Sequence, residues 1–133
     1  MQSATNLRVT AFARVLAGSV YSATTRFPVA ERFGLTSQMR RAVISIGSNI
    51  AEGCGRSSDR ELAQFLHDAL GSASELEFQT QVATDLSLLS TETAAPLLNQ
   101  ITQLKKMLAC LIRAIRTSRA GPEAVRPLGR PTV

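Results

Sequence analysis

The 133-residue chain contains few residues of the kinds that carry out chemistry. His67 is its only histidine, which excludes a metal site built from several histidines. Cys54 and Cys110 stand alone, without the spacing of metal ligands, so we expect free thiols in a reducing, cytoplasmic compartment. No nucleophile stands at a useful spacing from a base. We therefore predict a protein that is not an enzyme and has no catalytic residue, no bound metal and no cofactor.

Long apolar runs and strand patterns are also missing. No unbroken apolar stretch approaches the roughly 20 residues of a membrane span, and the N-terminal residues do not have the pattern of a signal peptide. No window alternates apolar and polar residues with a period of two, so we predict no strand and no membrane partner. The hydrophobic content of 44% and the length are typical of one soluble globular domain.

Apolar residues recur instead at helical spacing in four segments. Ser58 followed by Glu61 has the pattern of a capping box at the start of the third segment. Four helices with short connections favour an all-α fold, an antiparallel up-down four-helix bundle over residues 1–117. The spacing predicts helices over about 7–26, 35–51, 58–89 and 95–116.

Charge is unevenly distributed along the chain, whose net charge is +5. Residues 1–60 and 91–133 each carry a net charge of +5, whereas residues 61–90 carry −5 and contain no lysine or arginine. Packing of these segments on one another would neutralise charge inside the fold, so net charge alone is weak evidence for a nucleic-acid partner. Residues 118–133 hold three prolines, two glycines and three arginines, and we expect a flexible basic tail.

The second predicted helix has three faces instead of two. Its apolar face consists of Leu35, Met39, Ala42, Val43, Ile46 and Ile50. A polar stripe beside it consists of Gln38, Arg41, Ser45, Asn49 and Glu52. The third side is formed by Arg40, Ile44, Gly47 and Ala51. Since a surface helix of a monomer needs only one buried stripe, these faces predict a second contact, with either a buried polar network or another subunit.

A matching stripe on the third helix favours the network. If the two helices pack together, Arg41 would lie against Glu75 or Asp68, and Asn49 and Ser72 would complete hydrogen bonds. An arginine buried without a partner would be strongly destabilising. The alternative is that Arg40, Arg41 and Arg56 bind phosphates. The predicted structural polar network consists of Gln38, Arg41, Asn49, Glu52, Ser72 and Glu75.

Basic residues on the fourth predicted helix form a ridge. Lys106, Arg113 and Arg116 fall within roughly 80° of the helix circumference, away from its apolar seam, with Lys105 at the border. This ridge is the best local candidate for a phosphate-binding face, although a solvated surface would show the same pattern. No aromatic residue is interleaved with it, so base stacking is not indicated. The predicted nucleic-acid-binding residues are Lys105, Lys106, Arg113, Arg116, Arg40 and Arg56.

Several short motifs lie between residues 27 and 77. They are Phe27-Pro28, Glu31-Arg32-Phe33-Gly34-Leu35, Arg40-Arg41-Ala42, Asn49-Ile50-Ala51-Glu52-Gly53, Gly71-Ser72 and Glu75-Leu76-Glu77. With these motifs the chain resembles, over about residues 7–115, the bacterial four-helix-bundle proteins first noticed as products of intervening sequences in large-subunit ribosomal RNA genes. The resemblance implies an up-down bundle that assembles into a ring-like homopentamer with a basic surface. It also extends to the accessory variability protein of diversity-generating retroelements, which binds nucleic acid and the retroelement's reverse transcriptase.

Two functions therefore stay open. The first is an RNA-binding accessory protein that uses the ridge, Arg8, Arg14 and the tail, and assists a reverse transcriptase as in those retroelements. The second is a protein-interaction scaffold of unknown role, encoded in a ribosomal RNA intervening sequence and making no direct RNA contact. RNA binding with strong salt dependence would favour the first. Binding of a reverse transcriptase with little affinity for free RNA would favour the second.

Overall fold

Four long helices joined by short connections make up the computed structural model, which describes residues 4–120 and the side chains of residues 4–118. None of these residues belongs to a β-strand, so the predicted all-α class is confirmed. A short 3-10 helix (Val29–Glu31) joins the first long helix to the second. The long helices are α1 (Ala4–Thr24), α2 (Leu35–Cys54), α3 (Asp59–Asp85) and α4 (Thr91–Ala120).

The four helices surround one apolar core. α2 contacts both α1 and α3, and α4 also contacts both of them. Each large side chain removed from water contributes about 1.5–3 kcal/mol of hydrophobic stabilisation. The largest fully buried side chains are Leu16, Met39, Ile46, Ile50, Leu66, Leu76, Ile101, Leu104 and Leu108.

Local hydrogen bonds decide where α3 begins and ends. The Ser58 hydroxyl accepts a hydrogen bond from the Glu61 backbone N–H at 3.2 Å, which confirms the predicted N-cap. At the other end Ser87 has a positive φ of 62°, and the N–H of Leu88 bonds the carbonyl of Ala83 at 2.8 Å. This Schellman-type turn ends α3 at Asp85 rather than near residue 89, although Leu88 still packs on the core.

α4 is longer at both ends than its apolar pattern predicts. The Ser90 hydroxyl accepts a hydrogen bond from the Thr93 backbone N–H at 3.1 Å and caps the helix. Pro96 consequently lies in the second turn, where it costs one helical hydrogen bond, instead of marking the start. Residues 118–120, predicted as the start of the tail, are helical, and residues 121–133 lie outside the described part of the chain.

α2 and α3 approach each other closely through small side chains. A Cβ atom built on Gly53 would lie 2.9 Å from the Cβ of Phe65 and 3.1 Å from the Cδ1 of Leu62. Eight residues before Gly53 on α2, Ser45 lies next to Ser72 of α3, and their hydroxyl oxygens are 2.8 Å apart. Ser72 is seven residues beyond Phe65 and therefore lies on the same side of α3. We refer to these contacts as the α2–α3 seam.

We predict that Gly53→Ala lowers the free energy of unfolding by about 1–3 kcal/mol, because the added methyl group overpacks the seam against Phe65. Gly18→Ala is a matched control in α1, since a Cβ at Gly18 would meet nothing within 4 Å. The control should raise stability by up to about 1 kcal/mol, the helix-propensity gain of alanine over glycine. Urea denaturation followed by circular dichroism measures both, and effects of the same sign would contradict this packing.

Candidate nucleic-acid interface

Three of the predicted phosphate-binding residues lie exposed along α4. They are Lys106, Arg113 and Arg116, which we name the α4 ridge. Among the described side chains, none of the three forms an ion pair with an acidic residue. Their positive charges are therefore available to a ligand in solvent.

Arg60 extends this basic surface onto α3. Arg60 and Arg116 line one shallow groove, where the first turn of α3 lies beside the end of α4. Asp59 lines the same groove and contributes one opposing charge. Sequence reasoning missed Arg60 because the two arginines are distant in the chain and come together only through the packing of α3 on α4.

Lys105 does not belong to the free ridge. Its Nζ lies 2.8 Å from Oε1 of Glu77, and the two side chains are only 29% and 30% exposed. The pair links α4 to α3, so Lys105 has a structural contact, and its phosphate contact stays a prediction. A partly exposed pair of this kind contributes about 1 kcal/mol at most.

Arg40 is also engaged within the fold. Its Nε donates a hydrogen bond of 2.8 Å to Oγ1 of Thr24, and its guanidinium lies 4.6 Å from the ring centroid of Tyr21. Thr24 is buried and donates in turn to the carbonyl of Val20 at 2.8 Å. Arg40 thus fastens α2 to the end of α1, which accounts for its presence without a phosphate.

Arg56 lies just beyond the end of α2. Its guanidinium pairs with Oε2 of Glu52 at 2.5 Å and lies 5.1 Å from the ring centroid of Phe65. The side chains of Arg56 and Glu52 are 41% and 54% exposed. These contacts cover the end of the α2–α3 seam, and they pair Arg56, a predicted nucleic-acid-binding residue, with Glu52 of the predicted structural network.

A smaller polar network than the predicted one lies at the seam. Nδ2 of Asn49 donates to the carbonyl of Ser45 at 2.9 Å and contacts the Ser45 hydroxyl at 3.3 Å. That hydroxyl also shares a hydrogen bond with Ser72. Ser45, which the predicted set omitted, is therefore the residue that joins Asn49 to Ser72.

The predicted pairing of Arg41 with Glu75 or Asp68 is absent from the subunit. Arg41 is exposed, forms no ion pair among the described side chains, and lines a shallow depression that faces Tyr21. The side-chain hydrogen bond that joins α2 to α3 is made instead by the short side chains of Ser45 and Ser72. Glu75 is likewise exposed, and so is Gln38.

Other surfaces of the described residues offer little chemistry. No group of three His, Cys, Asp or Glu side chains within them could hold a metal ion, and His67 is exposed. A groove of about 800 Å³ between α1 and α4 is lined by apolar side chains, hydroxyl groups, Gln100 and Arg26, without a carboxylate or imidazole to act as a base. Residues 4–120 include no helix with the length and apolar character needed to cross a membrane.

We predict that Arg40→Ala lowers the free energy of unfolding by about 1–3 kcal/mol, since it removes the hydrogen bond to Thr24 and the contact with Tyr21. Lys106→Ala, at an exposed position on α4, should change stability by less than about 0.5 kcal/mol. Thermal and urea unfolding compare the two variants. An Arg40→Ala protein that keeps full stability but loses RNA affinity would restore Arg40 to the phosphate-binding set.

Comparisons with known proteins bear on the fold and the family. The fold is similar to that of a solved structure, a protein of unknown function from the S23 ribosomal protein family of Bacteroides thetaiotaomicron. That structure is 22% identical, has a TM-score of 0.76, and aligns with 82% of this chain and 98% of its own. At this identity the likeness shows the four-helix fold alone.

Sequence comparison is more specific about the family. A comparison with curated protein sequences found no match. The sequence model of a family described as "23S rRNA-intervening sequence protein" matches residues 5–110, which include nearly all of α1, all of α2 and α3, and most of α4. The resemblance identified from the motifs is therefore confirmed, and the chain belongs to the family of 23S rRNA-intervening sequence proteins.

Proposed function

We propose that the protein is a non-enzymatic RNA-binding accessory protein of the cytoplasm, and that the α4 ridge with Arg60 is its phosphate-binding face. The observation that carries the proposal is the exposed, unpaired state of Lys106, Arg113 and Arg116 on one side of α4. A cluster of cations that forms no ion pair with the described acidic side chains attracts a polyanion and releases its counterions.

The charge pattern of the folded chain supports this proposal. From the sequence alone, the acidic segment could neutralise the two basic segments inside the fold and leave little free positive charge for a nucleic acid. In the folded chain, however, the ion pair between Lys105 and Glu77 is the only one among the described side chains that connects the acidic segment to a basic segment. The family description refers to 23S rRNA, which gives an RNA context without stating a binding activity.

We also propose that the four helices run up and down in antiparallel order. Along α2 and α3, Gly53 meets Phe65 while the earlier Ser45 meets the later Ser72. Contacts between α3 and α4 have the same crossed order, since Arg60 lies near Arg116 and Glu77 pairs with Lys105. Such an order places the basic end of α4 beside the start of α3.

The proposal includes assembly into a ring-like homopentamer. A ring would present the α4 ridge once per subunit, and linked weak sites gain affinity through their high effective concentration. Three or four cations on each subunit would then suffice for firm RNA binding. The unpaired charges of Arg41 on α2 and of Asp68 and Glu75 on α3 support contact between copies.

A protein-interaction scaffold is the second candidate, and one observation favours it. Phe33 and Val29, in the connection between α1 and α2, are 87% and 84% exposed. Exposed aromatic and aliphatic side chains in one short segment are typical of protein-binding surfaces. A reverse transcriptase, expected from the resemblance to retroelement accessory proteins, would be a partner of this kind and stays a prediction.

We predict that the combined variant Lys106→Gln, Arg113→Gln and Arg116→Gln loses RNA affinity and salt dependence together. Removal of three phosphate contacts should reduce the slope of log K against log salt concentration by about 2–3 per engaged subunit. Fluorescence anisotropy with a labelled single-stranded or structured RNA, repeated over a salt series, measures both quantities. Sedimentation first establishes that the variant and the native protein have the same assembly size.

The matched control is Arg26→Gln combined with Arg32→Glu, two exposed positions in the connection between α1 and α2, which together make the same change of three in net charge. We expect this variant to retain most of the native salt slope. Equal losses in the two variants would mean that net charge, and not the α4 ridge, governs binding. Native-like or negligible RNA affinity in all three proteins would contradict the proposed RNA-binding face and leave the scaffold as the explanation.

A further inference from the structure

The outer side of α2 presents an unpaired arginine beside exposed apolar atoms. Arg41 lines a shallow depression together with Tyr21 and Ile44, which are 40% and 48% exposed. No described acidic side chain pairs with Arg41. We name Tyr21, Arg41 and Ile44 the α2 face. Arg40, which is bonded to Thr24, lines the same depression, so this face offers the free charge of Arg41 and the engaged charge of Arg40 beside apolar atoms.

The outer side of α3 presents the complementary features. Asp68 and Glu75 are exposed, seven residues apart on one side of the helix, and neither pairs with a described base. Asp68 accepts a hydrogen bond of 3.1 Å from the exposed Gln64. At Gly71, between the two acids, a Cβ would meet nothing within 4 Å, so the surface there is open. Phe78 follows at 65% exposure and completes what we name the α3 face.

We infer that the α2 face of one copy of this chain binds the α3 face of a second copy, with Arg41 placed between Asp68 and Glu75 of its neighbour. The inference rests on the proposed assembly into a ring and identifies the surfaces that form it. Within one subunit Arg41 forms no ion pair with either acid, so all three charges are available to a second copy.

The two faces fit each other better than they fit other partners. A polyanion such as RNA would be attracted to Arg41 but repelled by Asp68 and Glu75. Each face also exposes apolar carbon, Ile44 on one and Phe78 on the other, which a second copy would cover in the same contact. Charge complementarity between two faces of the same chain therefore points to self-association.

The position of the faces allows two types of assembly. They lie on different helices, so two copies can either pair both sets of faces reciprocally in a closed dimer or join one set and leave one free face on each. The proposed ring requires the second, head-to-tail form. Such a head-to-tail contact continues from copy to copy and closes into a ring when the rotation permits. Because α2 and α3 are neighbouring helices, successive copies turn with respect to one another instead of forming a straight row.

Apolar contact and charge have separate roles at this interface. An exposed ion pair contributes little affinity by itself. The buried carbon of Tyr21, Ile44 and Phe78 would supply most of the association energy. The charges set the register, because a reversed charge would lie opposite a like charge and strongly oppose docking.

Charge reversal tests the contact. Sedimentation or light scattering of the full chain compares the native protein with Arg41→Glu and with Glu75→Arg. We expect each variant alone to need a concentration at least about tenfold higher for assembly, shifting the mass toward the 14.3 kDa subunit. An equimolar mixture of the two variants should associate again, because every junction between unlike variants places opposite charges together. A five-membered ring contains at least one junction between like variants, so we expect the mass to recover in part.

Rescue by mixing separates a contact between copies from a structural role within one copy, which mixing cannot restore. Arg113→Glu is the matched control on α4, and it should keep the native assembly size while losing RNA affinity. Circular dichroism verifies that each variant is folded. Should Arg41→Glu fail to fold, Arg41→Gln and Glu75→Gln provide neutral versions of the same comparison, with weakened assembly as the expected result.

Each contrary result has a distinct meaning. A native protein that stays monomeric at all concentrations would overturn both the proposed ring and this contact. Native assembly that both single variants retain would overturn the contact while leaving the ring in place. Dissociated variants that do not associate on mixing would exclude the pairing of Arg41 with Glu75. RNA affinity of the α4 variants, compared with that of the native protein at equal assembly size, tests the phosphate-binding face separately from this contact.

Discussion

The close packing of α2 on α3 is the constraint on which the rest of the structure depends. Gly53 lies against Phe65, and Ser45 shares a hydrogen bond with Ser72. The polar contact between these two helices is thus made by short side chains. Arg41, on the same polar stripe of α2 as Ser45, is exposed and forms no ion pair with a described acid. The charges of the stripe therefore lie on the surface of the subunit and not between its helices.

Basic residues of this chain differ in role according to their neighbours. Arg40 and Lys105 each join two helices, through Thr24 and Glu77 respectively. Lys106, one residue after Lys105, has no such neighbour and faces solvent. Cations that stabilise the fold are thus separated from cations that are available to a ligand, even where they are adjacent in sequence. A basic composition by itself does not distinguish these two groups.

Sequence periodicity was sufficient for the four helices and for the α4 ridge, because both follow from 3.6 residues per turn. Helix ends were less predictable, since they depend on local hydrogen bonds such as those around Ser87 and Ser90. The contacts of Lys105 and the nearness of Arg60 to Arg116 involve residues that are distant in the chain. Periodicity within one helix contains no information about them. The motif around Asn49 nevertheless identified the family, because a motif reflects the packed structure as a whole.

The pairing of Lys105 with Glu77 has a consequence for how such chains diverge. Glu77 lies on α3, yet it holds a cation that borders the ridge on α4. A substitution of this single carboxylate would release one more positive charge to that surface without any change in α4. The positive potential of the α4 surface can therefore evolve through a substitution in α3. Selection on the ligand affinity of this surface and selection on core packing would then act on different residues.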